Sequence, residues 1–142
     1  MQTFLPSPSY SESARILDYR RLGKQRVETK QILLAMSKTS GGWVNHPATK
    51  MWRGYEVELC QYGLHMCCEW VRRGYKDTLG EFFMDSLWQY ESDGRTLALP
   101  PWMGDERIHA SHRSNLLRKD REFYSQYGWA EPDDMPYIWP VQ

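Results

Sequence analysis

The chain has 142 residues, about the size of one ordinary domain, and this length is sufficient to bury a hydrophobic core. Its 41% hydrophobic and 25% charged residues are typical of a soluble protein, and no apolar run approaches the roughly 20 residues that span a bilayer. The 18 basic and 18 acidic side chains cancel, which argues against a protein that coats nucleic acid without specificity.

The first ten residues, MQTFLPSPSY, contain two prolines and two serines and predict an extended arm. A first long helix is then predicted from about residue 12 to residue 37. Ser11 or Ser13 could cap its start, and Gly23 is expected to break or kink it. The stretch KTSGGWVNHPA follows as a loop, because it combines a glycine pair with Pro47.

A second long helix is predicted from Lys50 to Arg73, where the chain has its clearest helical periodicity. Apolar and aromatic side chains recur there at steps of three and four residues, and Gly74 is expected to end the helix. The recurring residues are Trp52, Tyr55, Leu59, Tyr62, Met66 and Trp70.

The rest of the chain predicts a shorter helix, a third long helix and an aromatic tail. The shorter helix lies within residues 77–94, and the long one runs from about Asp105 to Tyr124. The tail MPYIWPVQ is expected to pack across the bundle. Because no alternating strand pattern occurs, the sequence predicts one all-α domain over the 142 residues, with three principal helices.

No set of side chains has the spacing of a metal site. The four histidines lack a suitably spaced cysteine or carboxylate, and Cys60, Cys67 and Cys68 form neither a CxxC pair nor a disulfide framework. We therefore expect buried, reduced cysteines and no metal. With no signal-peptide pattern at the N-terminus either, the expected location is the cytoplasm.

The segment LDYRRLGKQRVETKQIL, residues 17–33, concentrates charge within a predicted helix. At about 100° per residue, one sector of this helix holds Arg21, Lys24, Gln25 and Glu28. A carboxylate ringed by cations and an amide could be a solvated ion-pair network, which would contribute little stability. Two further stretches shift the interpretation towards a phosphate-binding face.

The first of these, NHPATKMWRGYE, places His46 and Arg53 around the start of the second helix. The second, IHASHRSNLLRKD, concentrates histidine and basic side chains on the third helix. Arginine, lysine and histidine side chains grouped in this way are candidates for phosphate contacts. The residues concerned on the third helix are His109, His112, Arg113 and Lys119.

These stretches resemble the pyrimidine-dimer DNA glycosylase family, of which the phage endonuclease V type is the better known. The resemblance rests on LDYRRLGKQRVE, NHPATKMWRGYE, CCEWVRRGYKDT and HASHR, with YIWP near the end, and it covers nearly the whole chain. RLGKQRVE and HPA…MWRG are shared with one branch of the family, and EWVRRGYKDT with the phage type. The resemblance implies an all-α bundle of three helices with the N-terminal segment threaded between helices.

The resemblance also implies a chemistry. Phage-type members cut the glycosidic bond of a damaged pyrimidine and then cleave the strand at the abasic site, as AP lyases. The α-amine of the first residue attacks C1′ and forms an imine, a glutamate assists, and arginines hold phosphates. An α-amine suits this task because its pKa is roughly 8, far below that of a lysine. The implied partner is DNA, bound by a monomer without a cofactor.

Carried onto this chain, the resemblance implies that Met1 supplies the amine, because a bulky second residue normally blocks removal of methionine. Lys24 is a second possible amine. The phage glutamate aligns with Arg21, so the expected catalytic carboxylate is Glu28, two turns later on the same face, or Asp18. The expected catalytic residues are therefore Met1, Arg21, Lys24 and Glu28, with Asp18 as the alternative carboxylate. If no amine is in place, Glu28 could instead activate water.

The resemblance further implies a DNA-contacting surface, to which Trp43 in the GGW loop could add stacking on a displaced base. Two alternatives stay open: a DNA-binding module without catalysis, and a protein-interaction domain whose charged face is only an ion-pair network. The residues expected to contact DNA are Arg20, Gln25, Arg26, His46, Arg53, His109, His112, Arg113 and Lys119.

Overall fold

The computed structural model describes residues 1–95 and 97–141, and over these residues it is entirely helical, which confirms the predicted all-α class. No helix in this described part combines the length and apolar character needed to cross a bilayer. The elements are α1 (Tyr10–Ile16), α2 (Tyr19–Met36), α3 (Pro47–Trp52), α4 (Glu56–Arg72), α5 (Gly80–Ser92), α6 (Glu106–Lys119), α7 (Arg121–Tyr124) and a 3₁₀ turn, Ser125–Tyr127.

The first long predicted helix is divided into α1 and α2, and the break lies at Leu17 and Asp18 rather than at Gly23. Both residues of the break have extended backbone, with ψ angles of 139° and 160°. Gly23 lies inside α2, where a Cβ atom would come within 3.0 Å of the ring of Trp70 on α4. The glycine therefore allows α2 and α4 to approach closely.

Side chains accept hydrogen bonds from free backbone N–H groups near the start of several helices, of which α1, α6 and α5 are examples. Ser9, rather than either predicted serine, caps α1 by accepting a hydrogen bond of 3.2 Å from the first turn. Asp105 does the same for α6 at 3.1 Å. Before α5, the carboxylate of Asp77 accepts a bond of 2.7 Å from the N–H of Gly80. These bonds fix where the helices begin.

The other two long predicted helices are also divided. Gly54, with φ of 91°, interrupts the second between α3 and α4, and Asp120 separates α6 from α7. The predicted end of the second helix at Gly74 is confirmed, with φ of 95°. Glycine adopts these left-handed angles without the steric cost that other residues meet.

Helix α4 lies at the centre of the fold and packs against α1, α2 and α5. Trp52 and Tyr62, from the periodic stretch, are fully buried. Gly63 lets α5 approach, because a Cβ atom there would lie 2.6 Å from the ring of Phe83. Cys68 is exposed, so the expectation of three buried cysteines is wrong for this residue.

Both ends of the described chain are fixed against the helices. Residues 2–7 are buried without regular secondary structure and are hydrogen-bonded to α2, α4 and α6. The tail lies along α6, where the hydroxyl of Ser114 donates to the carbonyl of Pro132 at 2.5 Å and the amide of Asn115 donates to that of Met135 at 3.0 Å. The predicted packing of the tail on the bundle is confirmed up to residue 141.

Candidate active-site cleft

A cleft of about 460 Å³ opens between α2, the N-terminal arm, the end of α6 and the tail. Its volume lies within the roughly 300–1,000 Å³ range of small-molecule sites. The four residues that the sequence assigns to catalysis all line it, together with three that it assigns to DNA binding. The lining residues are Met1, Gln2, Phe4, Arg20, Arg21, Lys24, Gln25, Glu28, Lys119 and Tyr137.

Glu28 is half-buried in the cleft, and one of its oxygens is held by two donors. Its Oε2 accepts hydrogen bonds from the backbone N–H of Gln2 at 3.3 Å and from Nε2 of Gln25 at 3.2 Å. Met1, which precedes Gln2, lines the same cleft as this carboxylate. Within the described residues, no ion pair of 4.0 Å or less joins them, so they are neighbours rather than direct partners.

Gln25, which is only 1% exposed, forms a second junction between α2 and the arm. Its Oε1 accepts from the N–H of Phe4 at 2.7 Å and lies 2.5 Å from the hydroxyl of Tyr62. Its Nε2 donates to the carbonyl of Gln2 at 2.9 Å as well as to Glu28. Its donors and acceptors are bound within the protein, and the predicted contact of Gln25 with DNA stays a prediction.

His109 and His112 hold the arm from α6. The N–H of Leu5 donates to Nδ1 of His112 at 2.8 Å, so that nitrogen carries no proton. The carbonyl of Leu5 accepts from Nδ1 of His109 at 2.8 Å, and Nε2 of His109 accepts from Gly104. The two rings are therefore neutral, in opposite tautomers. Both are at most 1% exposed, and their predicted phosphate contacts stay predictions that would require the rings to become accessible.

Arg26 and Arg113, also predicted to contact DNA, are engaged by protein groups. Arg26 lies over the ring of Trp70 at 4.6 Å and 3.3 Å from a carboxylate oxygen of Asp77. Arg113 pairs with two glutamates and donates to a carbonyl of the arm at 2.8 Å. Their side chains are only 9% and 14% exposed, and their contacts with DNA stay predictions.

Four cations remain at the cleft and give it a positive potential. Arg20 and Lys24 are exposed on α2, and Arg21 forms an ion pair of 3.1 Å with Asp18. Lys119 lies at the end of α6. Loss of solvation, followed by the nearby arginine and lysine charges, lowers the pKa of Lys119. Burial is thus the main cause of this shift, and the positive charges gathered around the lysine add to it.

Asp18, the alternative catalytic carboxylate, lies outside the cleft lining. Burial opposes its ionisation, but hydrogen bonds from Tyr124 and Arg21 outweigh burial and lower its pKa. Glu28 is the only carboxylate among the described lining residues. Within the described chain, no three His, Cys, Asp or Glu side chains are grouped so that they could hold a metal ion.

An aromatic row leads from the cleft towards the GGW loop. The ring of Tyr137 lies 5.5 Å from that of Trp139, which lies 5.8 Å from His46, and His46 lies 5.4 Å from Trp43. Trp43 is 43% exposed at the outer end of this row. Sequence reasoning singled out His46 and Trp43 but missed Tyr137 and Trp139, although the aromatic density of YIWP was a signal.

His46 and Arg53 lie outside the cleft lining and have protein partners. Nδ1 of His46 accepts from the N–H of Ala48 at 3.0 Å and so caps α3. Burial, then the positive N-terminus, lowers the pKa of His46, whereas Glu28 opposes this shift. Arg53 is exposed and donates to the carbonyl of Val44 at 2.9 Å, at the end of the GGW loop. Their contact with DNA stays a prediction.

Comparison with known proteins identifies the family of the chain. A family model described as pyrimidine dimer DNA glycosylase matches residues 1–80, more than half of the chain. The chain belongs to the pyrimidine dimer DNA glycosylase family. Searches of curated proteins and of solved structures found no significant match.

Membership of this glycosylase family indicates an enzyme of DNA repair whose substrate is DNA. The matched segment contains the arm and α1 to α4, and with them Met1, Glu28 and the cations of α2. Lys119, Tyr137 and the two histidines that hold the arm lie beyond it. The cleft is therefore built from both the matched segment and the remainder of the chain.

Proposed function

We propose that this glycosylase-family member excises a damaged or modified pyrimidine in the cleft and then cleaves the strand as an AP lyase. The observation that supports the proposal most directly is the placement of Met1 and Glu28 in one positively charged cleft. Imine chemistry at a sugar carbon requires an amine as nucleophile and a group that moves protons. Family membership indicates a DNA substrate, and Met1 and Glu28 are the candidates for the amine and the proton-transfer group.

In the first step, the unprotonated amine of Met1 attacks C1′ of the damaged nucleotide. The bond between C1′ and the base breaks, and the base leaves with the electron pair and takes up a proton. The nitrogen loses a proton, the sugar ring opens with protonation of O4′, and a protonated imine joins the nitrogen to C1′. Removal of a C2′ proton then expels the 3′ phosphate, and water releases the amine from the cleaved strand.

Glu28 acts in this scheme as a fixed negative charge and as a proton acceptor. Two hydrogen bonds hold its Oε2, so the carboxylate has a defined position before substrate binds. A fixed carboxylate beside C1′ stabilises the positive charge that develops on the sugar as the glycosidic bond breaks. It can also accept the proton that the amine loses.

The four cations of the cleft bind the phosphates around the damaged nucleotide. Arginine can hold a phosphate through two parallel hydrogen bonds, whereas lysine acts as a point charge. Arg20, Arg21, Lys24 and Lys119 line the same cleft as Met1, which supports their role as phosphate contacts. To enter the cleft, the nucleotide has to leave the base stack of the duplex. Contacts with the flanking phosphates can hold the duplex in this opened form.

The buried arm favours Met1 over Thr3 as the source of the amine. Thr3 is fully buried, its N–H donates to Oε1 of Gln2 at 2.8 Å, and its hydroxyl accepts from Trp52 at 2.9 Å. An amine at Thr3 would require removal of Gln2, which also supplies the N–H bound to Glu28. Such processing would dismantle the site.

Borohydride trapping on a duplex with one abasic site tests the proposal. Borohydride reduces the imine to a stable amine, so we expect a covalent adduct on the nitrogen of Met1, located by peptide mass spectrometry. Intact mass spectrometry of the same sample establishes that Met1 is the first residue. An adduct on Lys24 or Lys119 would keep the lyase and reassign its nucleophile.

Base release from a duplex that carries one pyrimidine dimer is measured in parallel. Base release without an adduct would contradict the imine and leave a glycosylase in which Glu28 activates water. Salt-dependent binding with neither adduct nor base release would contradict the enzyme and leave a DNA-binding module. Failure to bind DNA at low salt would contradict both.

A further inference from the structure

Gln25 joins the N-terminal arm to the carboxylate of the cleft through one buried amide. We infer that Gln25 is the positioning residue that sets the distance between the Met1 amine and Glu28. The inference rests on the function proposed above, and it gives Gln25 a part in catalysis in place of the DNA contact expected from the sequence.

The hydrogen bonds of Gln25 fix the orientation of its amide and exclude most replacements. The N–H of Phe4 is a donor and must face Oε1, whereas the carbonyl of Gln2 and the carboxylate of Glu28 are acceptors and must face Nε2. A glutamate would turn a second carboxylate towards two acceptors. A methionine would keep the length of the side chain and lose every bond.

The same amide controls the position of the amine. Nε2 of Gln25 holds the carbonyl of Gln2, while the N–H of Gln2 is bound to Glu28, so both backbone groups next to Met1 are tied to one junction. Loss of the junction allows the amine and the carboxylate to move apart. A displacement of about 1 Å between reacting groups can cost on the order of 100-fold in rate.

Gln25→Met and Gln25→Glu test the inference, with Gln31→Glu as a matched control at an exposed position of the same helix. For Gln25→Met we expect the single-turnover rate at saturating DNA to fall by about 10- to 100-fold, with little change in Kd. For Gln25→Glu we also expect the acidic limb of the pH–rate profile to move to higher pH, because neighbouring carboxylates compete for ionisation. Gln31→Glu should alter neither the single-turnover rate nor the pH–rate profile.

An effect on DNA binding without an effect on the single-turnover rate would overturn the inference. If Gln25 contacts DNA, its variants will raise Kd and leave the rate of the bound complex unchanged. Unchanged rates and pH profiles in both variants would overturn it as well. Tyr62→Phe removes one bond to Oε1 but keeps the amide, so its expected smaller loss of rate provides the same test if the Gln25 variants do not fold.

The wild-type protein separates this inference from the proposed function. Wild-type protein that neither forms an adduct nor releases base contradicts the proposed function itself. Active wild-type protein with fully active Gln25 variants contradicts only the positioning role.

A second feature of the cleft is an unused donor on Gln2. This side chain is 4% exposed, and its Oε1 accepts from the N–H of Thr3, which identifies Nε2 as the donor end. Nε2 is buried and has no hydrogen-bond partner among the described residues. Buried donors without a partner are rare and unfavourable. We propose that it donates to an acceptor oxygen of the substrate, either a pyrimidine carbonyl or a sugar–phosphate oxygen.

Gln2→Met tests this contact, because it keeps the size of the side chain and removes the donor. Kd is measured for one duplex with a pyrimidine dimer and one with an abasic site, and a loss of about 3- to 10-fold is expected for one neutral hydrogen bond. A loss confined to the dimer duplex assigns the oxygen to the base. An equal loss for both assigns it to the sugar–phosphate backbone.

Unchanged Kd values for both duplexes would overturn the proposal for Gln2. Gln2→Glu, which keeps an acceptor for Thr3 but lacks the donor, repeats the measurement if the methionine variant does not fold. Gln31→Met is the control on the exposed surface. Because binding needs no turnover, the result stands whether or not glycosylase activity is found.

Discussion

The backbone N–H of Leu5 donates a hydrogen bond of 2.8 Å to Nδ1 of His112, and both residues are buried. A ring protonated at Nδ1 could not accept this bond, so this anchor of the arm requires the neutral form of His112. Burial, helped by the nearby charge of Arg113, lowers the pKa of His112 from 6.5 to about 3. Between these values the unfolded chain binds a proton that the folded chain does not, so stability falls as the pH falls.

His112→Asn should therefore reduce the acid sensitivity of folding, since an asparagine oxygen can still accept from Leu5 without titrating. The wild type is expected to lose about 2 kcal/mol of unfolding free energy between pH 7 and pH 5 through this group, and the variant to be spared that part. Urea unfolding at both pH values measures the difference. His65→Asn, at a half-exposed position of α4, is the control. Equal losses in wild type and His112→Asn would contradict the assignment.

Glu28→Gln should separate chemistry from binding. Glutamine can still accept from the N–H of Gln2, so the arm is retained, but the negative charge and the proton acceptor are lost. We expect the single-turnover rate to fall by about 10²- to 10⁴-fold and Kd to change little. Glu122→Gln, at an exposed position of α7, should be silent in the same assay. A fully active Glu28→Gln would remove this carboxylate from the mechanism.

Lys119→Gln should weaken DNA binding in a salt-dependent way. If Lys119 neutralises one phosphate, the slope of log K against log salt becomes less steep by about 1, for damaged and undamaged duplexes alike. Titrations by fluorescence anisotropy at several salt concentrations give the slope. Arg107→Gln is the control, since this side chain is 79% exposed and paired with Asp105. Parallel slopes for wild type and Lys119→Gln would exclude the phosphate contact.

Trp43→Ala should affect binding to damaged DNA without affecting the fold. The side chain is 43% exposed at the end of the aromatic row, and stacking on an unpaired base contributes about 1–3 kcal/mol. A duplex with a displaced base should therefore lose more affinity than an intact one. Trp88→Ala, a more exposed tryptophan on α5, is the matched control. Equal effects of both variants would argue against a specific stacking site.

Gly63→Ala should destabilise the contact between α4 and α5. The added Cβ atom would meet the ring of Phe83 at 2.6 Å, and overpacking of this kind costs about 1–3 kcal/mol. Gly42→Ala, in an exposed loop with open space around its Cβ position, should be neutral or slightly stabilising. Chemical denaturation of both variants compares the two sites. A Gly63→Ala protein as stable as wild type would mean that α5 moves away without cost.

Helical periodicity was sufficient to predict which residues of the first long helix form one wall of the cleft. The wheel of the first long helix places Arg21, Lys24, Gln25 and Glu28 in one sector, and all four line the cleft. The wheel could not distinguish the buried amide from the exposed lysine, because burial depends on what packs against the sector. That partner is the N-terminal arm, which has no periodicity to read.

The breaks in the helices and the histidine pair were beyond the reach of sequence patterns for physical reasons. Periodicity continues across Gly54, so nothing in the spacing of apolar residues marks that interruption. The motif HASHR reads as basic surface, yet His109 and His112 are neutral because a buried backbone segment needs both a donor and an acceptor. Their partner, Leu5, lies more than 100 residues away in the chain.

That separation determines when the site comes into existence. The bond between Leu5 and His112 spans 107 positions, so the arm reaches its final place only after nearly all of α6 has been synthesised and docked. A growing chain, or a fragment ending at residue 80, carries Met1 and Glu28 but lacks the histidines that hold the arm beside them. A complete cleft is therefore confined to molecules in which α6 has docked against the arm, and an incomplete chain contains its parts without their arrangement.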